Sequence, residues 1–124
     1  LAKNNALQYK YYRNVAFYLQ RITSLILLAF VIWHVYTLRL TTGSPEDVYA
    51  VLLATLQNPL TFVLYVIGIV ASIYHFTNGI FTFCITWGIC VGDRAQKIFA
   101  ICAILLFVFF SLWAVGILLA LAAA

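Results

Sequence analysis

The sequence predicts an all-α integral membrane helical bundle with three transmembrane helices, and three observations carry that prediction. Hydrophobic residues make up 66% of the 124 residues and charged residues only 8%, against about 25% charged in ordinary soluble domains. The mean hydropathy is +1.07. No Asp, Glu, Lys or Arg occurs over residues 48–92 or after Lys97. So few charges cannot cover a surface that faces water, so most of this surface is expected to face lipid.

A helix needs roughly 20 apolar residues to cross about 30 Å of hydrocarbon. Three segments of one transmembrane domain over residues 1–124 meet that length. The first covers about 15–38, with Arg21 in its first turns, the second about 59–91, and the third about 98–124. Asn58-Pro59 reads as an N-cap followed by proline at the first helical position, where its missing N–H costs nothing. Ser44-Pro45-Glu46-Asp47 repeats that logic, with acids in the first turn suiting the helix dipole. A short interfacial helix over 48–56 is therefore expected before the second span. Val91-Gly92-Asp93-Arg94 reads as a tight polar turn into the third.

The leading LAKNNALQYKYYRN is polar and aromatic and lacks the order of regions that marks a signal peptide. Leucine at position 1, the absence of methionine and the odd number of spans lead to the expectation that further helices precede this stretch. Lys3, Lys10, Arg13 and Arg21 lie before or at the start of the first span, and Arg94 and Lys97 lie between the second and third. The other connection sets Arg39 against Glu46 and Asp47. The positive-inside rule then places the N-terminal side and the Asp93 turn in the cytoplasm and the C-terminus outside. Tyr9, Tyr11, Tyr12, Tyr18 and Trp87 would form the inner aromatic belt. Cys84, Cys90 and Cys102 form no CxxC or CxxCH and read as small, soft hydrophobes.

Within the spans, Arg21, His34 and His75 are the side chains able to carry charge near neutral pH. Arg21 lies near enough to the inner surface to snorkel to a headgroup. The histidines need another explanation, because an unpaired imidazole is costly to bury and polar groups at membrane depth are functional candidates. Gly68, Ala71, Ser72, His75, Gly79 and Thr82 follow helical spacing and make a stripe of small and hydroxylated residues, with Asn78 on its edge. Tyr74, Phe76, Ile80, Phe81 and Phe83 mostly cover the other sides. Such a stripe suits close helix packing. It also leaves room beside His75 for a flat ligand such as haem, whose iron takes histidine as an axial ligand. His34 shares its helix face with Gln20 and Leu27, with Ser24 nearby.

Depth separates the two histidines. At 1.5 Å per residue, His34 lies about 7 Å below the outer end of its helix and His75 about 24 Å from the same side. One iron cannot easily bind both. If both ligate haem, two haems lie at two depths, and each takes its second ligand from outside this chain.

The segments AKNNALQY (2–9), YRN (12–14), LQRIT (19–23), WHVYTLR (33–39), YHFTNGIFTF (74–83) and TWGI (86–89) fall in order across nearly the whole chain. In these the sequence resembles the later part of the di-haem cytochrome b membrane anchor of Bacillus-type succinate dehydrogenases, the succinate:menaquinone oxidoreductases. The resemblance implies a five-helix anchor in the bacterial cytoplasmic membrane, with this chain as helices three to five. It implies that His34 is an axial ligand of an outer, low-potential haem b and His75 of an inner, high-potential one. The partner histidines would come from helices one and two, in the same anchor or a companion chain. The implied partners are a flavoprotein subunit, an iron–sulfur subunit and membrane lipid, and the implied electron acceptor is menaquinone.

Under that resemblance, Arg21 is a candidate partner for a haem propionate. Ser72 and Asn78 would donate to the ligand or hold a neighbouring helix, and Gly79 would clear space for the porphyrin. The chain would serve as an electron-transfer subunit, with no catalytic residue of its own. A basic inner rim suits docking of an acidic soluble partner, and nothing in the sequence points to a nucleic-acid partner. Two other readings stay open at this point. One is the cytochrome b of a hydrogenase or formate dehydrogenase. The other is a haem-free bundle with structural histidines.

Overall fold

A computed structural model describes residues 12–124, with side chains from Val15 onward. The expectations placed on Lys3, Tyr9, Lys10, Tyr11 and the side chains of Tyr12 and Arg13 lie outside the described residues. Helix α1 runs Tyr12–Val35 and continues into a π-helical turn, Tyr36–Leu40. Helix α2 runs Pro45–Gln57, α3 Pro59–Thr86 and α4 Asp93–Ala122. No strand occurs among the described residues. Three stretches are long and apolar enough to cross a membrane: Val15–Leu40, Pro59–Thr86 and Asp93–Ala122. The all-α, three-span expectation therefore holds.

The ends of these helices follow local chemistry. Ser44 Oγ accepts from the Asp47 amide at 3.2 Å, ahead of Pro45, Glu46 and Asp47 in the first turn of α2. Asn58 Oδ1 accepts from the Leu60 amide at 3.0 Å and starts α3. The second span stops earlier than its apolar run suggests, at Thr86 rather than residue 91. Gly88 explains the stop. It takes φ +72°, a left-handed conformation that costs glycine nothing. Its amide then bonds the Ile85 carbonyl at 3.2 Å while the Ile89 amide bonds the Cys84 carbonyl at 2.9 Å. That pair of bonds is a Schellman cap, which satisfies the last carbonyls of the helix. Gly92, at φ +89°, turns the chain into α4, which starts at Asp93 rather than 98.

Helix α3 is central, with α1 and α4 flanking it and α2 packed across α3 and α4 at one end. Leu56, Tyr65 and Leu118 form the buried cluster at that end, joined by Phe30, Trp33, Leu52 and Phe62. The outer faces of the long helices stay open and apolar. Leu25 on α1 and Leu112 on α4 are 70% and 71% exposed. Such faces are stable in hydrocarbon, where helices also satisfy every backbone polar group internally.

Helix α3 buries more of its circumference than a single stripe. Phe81, expected on an outer side, is buried, and Asn78, expected at the edge of the stripe, is 4% exposed and inside the contact with α1. The reason is that α3 has neighbours on two sides, so its buried residues do not form one narrow band.

Candidate functional site

Helices α1 and α3 run antiparallel, and their contacts set a register in which one residue number rises as the other falls. Ala16 meets Asn78, Thr23 meets His75, Phe30 meets Gly68, and His34 meets Tyr65. Both histidines therefore sit on the α1–α3 interface, one on each helix, at separate levels. Eleven residues separate Thr23 from His34 on α1, and ten separate Tyr65 from His75 on α3. At 1.5 Å per residue the two levels are about 15 Å apart. The register thus reproduces the depth difference without any assumption about where a membrane lies.

The His75 level is polar and partly open. Thr23 Oγ1 donates to the Leu19 carbonyl at 2.7 Å, which commits its hydrogen. Towards His75 Nδ1, 3.4 Å away, the hydroxyl can then only accept. With the imidazole proton on Nδ1 the hydroxyl would accept it and the Nε2 lone pair would be available, the arrangement typical of metal-ligating histidines. Gln20 Nε2 donates to the His75 carbonyl at 3.3 Å, and Asn78 Nδ2 donates to Gln20 Oε1 at 2.9 Å and to the Ala16 carbonyl at 3.4 Å. Asn78 Oδ1 is buried with no partner among the described residues. The level is thus polar beyond what the described residues satisfy, and a donor from another segment or water would complete it.

A groove of about 470 Å³ opens along this level, walled by His75, Arg21, Phe17, Phe81, Ser24 and Thr82 among others. The Arg21 guanidinium lies 5.1 Å from the centre of the Phe17 ring, exposed at the same groove. Ser72 does not line it; its hydroxyl donates to the Gly68 carbonyl of its own helix at 2.7 Å. Among the described residues, a Cβ added at Gly79 would meet only Gln20 Nε2, at 3.6 Å, so these residues leave the space over Gly79 nearly free.

The His34 level is aromatic, with a half-buried imidazole beside a buried tyrosine. Tyr65 is 2% exposed, and its hydroxyl lies 2.9 Å from His34 Nδ1. The Phe30 ring stacks on the His34 imidazole with centroids 5.6 Å apart and meets Tyr65 edge-on at 5.2 Å. Phe30 also fills the hollow over Gly68, where an added Cβ would come within 2.3 Å of its ring. Gly68 serves helix packing, and its hollow is already occupied. Just beyond His34 the helix widens into the π-helical turn. There Thr37 Oγ1 donates to the Trp33 carbonyl at 2.9 Å.

The His75 level fits an imidazole-bound flat group, with a groove beside the ring, the aromatic side chains of Phe17 and Phe81 and an arginine at the rim. At the His34 level a half-buried imidazole meets Tyr65 through Nδ1 among aromatic rings. A family model described as succinate dehydrogenase/fumarate reductase transmembrane subunit matches residues 4–113. The chain belongs to that family. A curated relative within it, the succinate dehydrogenase cytochrome b558 subunit of Bacillus subtilis (strain 168), is 42% identical over 108 residues. The match covers 86% of this chain and 54% of the relative, so the chain spans about half of that protein's length. No solved structure matches it.

Sequence reasoning found both histidines and passed over two of their neighbours. Thr23 was legible as a hydroxyl in an apolar run, but its partner 52 residues away was not. Tyr65 read as one aromatic among many. Gln20 was placed on the His34 face, and it does point at α3, but at the other level, where it bonds the His75 carbonyl and Asn78.

Proposed function

We propose that the chain is part of the membrane-anchor cytochrome b subunit of a succinate:quinone oxidoreductase in a bacterial cytoplasmic membrane. It would carry electrons from an iron–sulfur subunit, fed by a flavoprotein, towards menaquinone. The observation that carries this reading is the pair of imidazoles at two levels of the α1–α3 interface, each engaged at Nδ1. Membership of the family supplies the enzyme class. The cytochrome name of the Bacillus subtilis relative supports haem b as the group at each level.

His34 and His75 would hold the two haems. The sequence has two histidines in all, so each iron would take its second axial ligand from outside these 124 residues. When bound, a haem held by these histidines would supply one-electron transfer. The chain's own residues do the rest. Thr23 Oγ1 would accept the His75 Nδ1 proton. Gln20 and Asn78 tie α3 to α1 and so hold the His75 backbone at this level. Arg21 would neutralise a propionate at the groove, and Gly79 would leave room for the ring edge. The spans contain no Asp or Glu apart from Asp93 at the start of α4, so proton delivery to a quinone would rely on other groups.

Succinate-driven reduction tests this reading. Succinate added to the purified native complex is expected to reduce haem b, as followed by the visible difference spectrum. Haem b that dithionite reduces but of which succinate reduces no part would assign the chain to a different oxidoreductase.

A further inference from the structure

We propose that Tyr65 is a positioning residue for His34: its phenolic oxygen accepts the His34 Nδ1–H and thereby sets both the tautomer and the donor strength of the imidazole. The inference rests on the reading of His34 as a haem ligand, and it concerns a residue that this reading does not itself require.

The chemistry leaves little freedom. A neutral imidazole carries one N–H. An iron held at Nε2 takes that nitrogen's lone pair, so the proton must sit on Nδ1, and Nδ1 can then only donate. The atom within reach is Tyr65 Oη, 2.9 Å away. At that distance the bond is of ordinary good geometry. It lies where Tyr65 is almost fully buried, so water does not compete for it. The phenol is itself held by Phe30 and Trp33, whose rings meet it edge-on at 5.2 Å each. Those contacts fix Oη relative to α1 before any ligand is present.

The contrast with the other level sharpens the assignment. Thr23 Oγ1 stands 3.4 Å from His75 Nδ1, a long contact from an oxygen already committed to two backbone carbonyls. The Tyr65 bond is shorter and better shielded. An acceptor on Nδ1–H pushes electron density towards the metal and favours the oxidised iron. Removing the acceptor should therefore raise the potential of the haem on His34 and leave that on His75 unchanged.

The test is a potentiometric titration of the native complex carrying Tyr65→Phe, with both haems followed by their visible bands. This variant keeps the ring that packs against Phe30 and Trp33, so the bundle is expected to assemble. The expected result is an upward shift of one haem by roughly a tenfold change in its reduced-to-oxidised ratio at fixed ambient potential, or about 59 mV for a one-electron couple. The other haem should stay where it was. His34→Ala identifies which band belongs to that level. Phe30→Leu is the packing control: it removes the stacked ring but leaves the phenol, and its shift should be clearly smaller. Unchanged potentials in Tyr65→Phe, or an equal shift in Phe30→Leu, would overturn the role of Tyr65 while leaving haem binding intact. Absence of haem from the wild-type complex would instead remove the reading beneath it.

Discussion

The two levels of the α1–α3 interface are built from different materials. At the His75 level, amides and hydroxyls from Gln20, Thr23 and Asn78 tie the helices together beside an open groove with Arg21 at its rim. At the His34 level, Phe30 and Tyr65 meet a half-buried imidazole, and Trp33 packs on Tyr65. One fold thus offers an imidazole in two environments. The polar level holds its histidine chiefly through the backbone and leaves space beside it. The aromatic level holds its histidine through the ring and fills the nearby hollow itself. A shell's polarity and hydrogen bonding are the protein's means of setting a redox potential, so this difference would make the two sites electronically unequal.

The largest expected effect comes from removing either ligand. His34→Ala and His75→Ala should each lower the haem content of the assembled complex from two to one, with a different band lost in each, as read by pyridine haemochrome and difference spectra. Loss of both haems in either variant would mean that the levels are not independent.

Next in size is the pair of glycine substitutions. Gly68→Ala drives a Cβ into the Phe30 ring, an overpacking that typically costs about 1–3 kcal/mol. It should lower the thermal midpoint of the complex and disturb the His34 level, because the same ring stacks on His34. Gly79→Ala meets only Gln20 Nε2 among the described residues, at ordinary contact distance, so it should change helix packing by less than about 0.5 kcal/mol, and its effect should fall instead on haem retention at the His75 level. Equal losses would break the distinction between a filled and an open hollow.

A double-mutant cycle of Gln20→Ala and Asn78→Ala measures the polar lock. Interhelical hydrogen bonds in membranes average about 0.6 kcal/mol and reach about 1.7, and a coupling in that range is expected for this buried contact. Zero coupling would reduce Asn78 to a space-filling residue. The smallest effect is expected from Arg21→Gln. Removing a cation at the groove should lower the potential of the His75 haem slightly and leave the other unchanged, since Arg21 is exposed and its field is screened.

Much of this architecture was legible in the sequence, and the failures have physical causes. The caps at Ser44 and Asn58 were readable because each puts a side-chain acceptor two or three residues before an unpaired amide. Gly88 carried an equally local signal, the left-handed stop after Thr86, but an apolar run on both sides hid it. The histidines stood out because polar groups are costly in hydrocarbon. Tyr65 did not, since a tyrosine among apolar residues looks like packing until the α1–α3 register brings its hydroxyl to an imidazole 31 residues earlier. Register between antiparallel helices arises from side-chain interlocking, and no single segment encodes it.

The central claim is that this chain holds two haem-binding levels. Pyridine-haemochrome quantitation of the purified native complex, scaled to the amount of this chain, tests it most directly. Two haem b per chain is the predicted result. One haem would leave one histidine structural and end the comparison of two redox levels, and none in an intact complex would contradict the cytochrome account altogether.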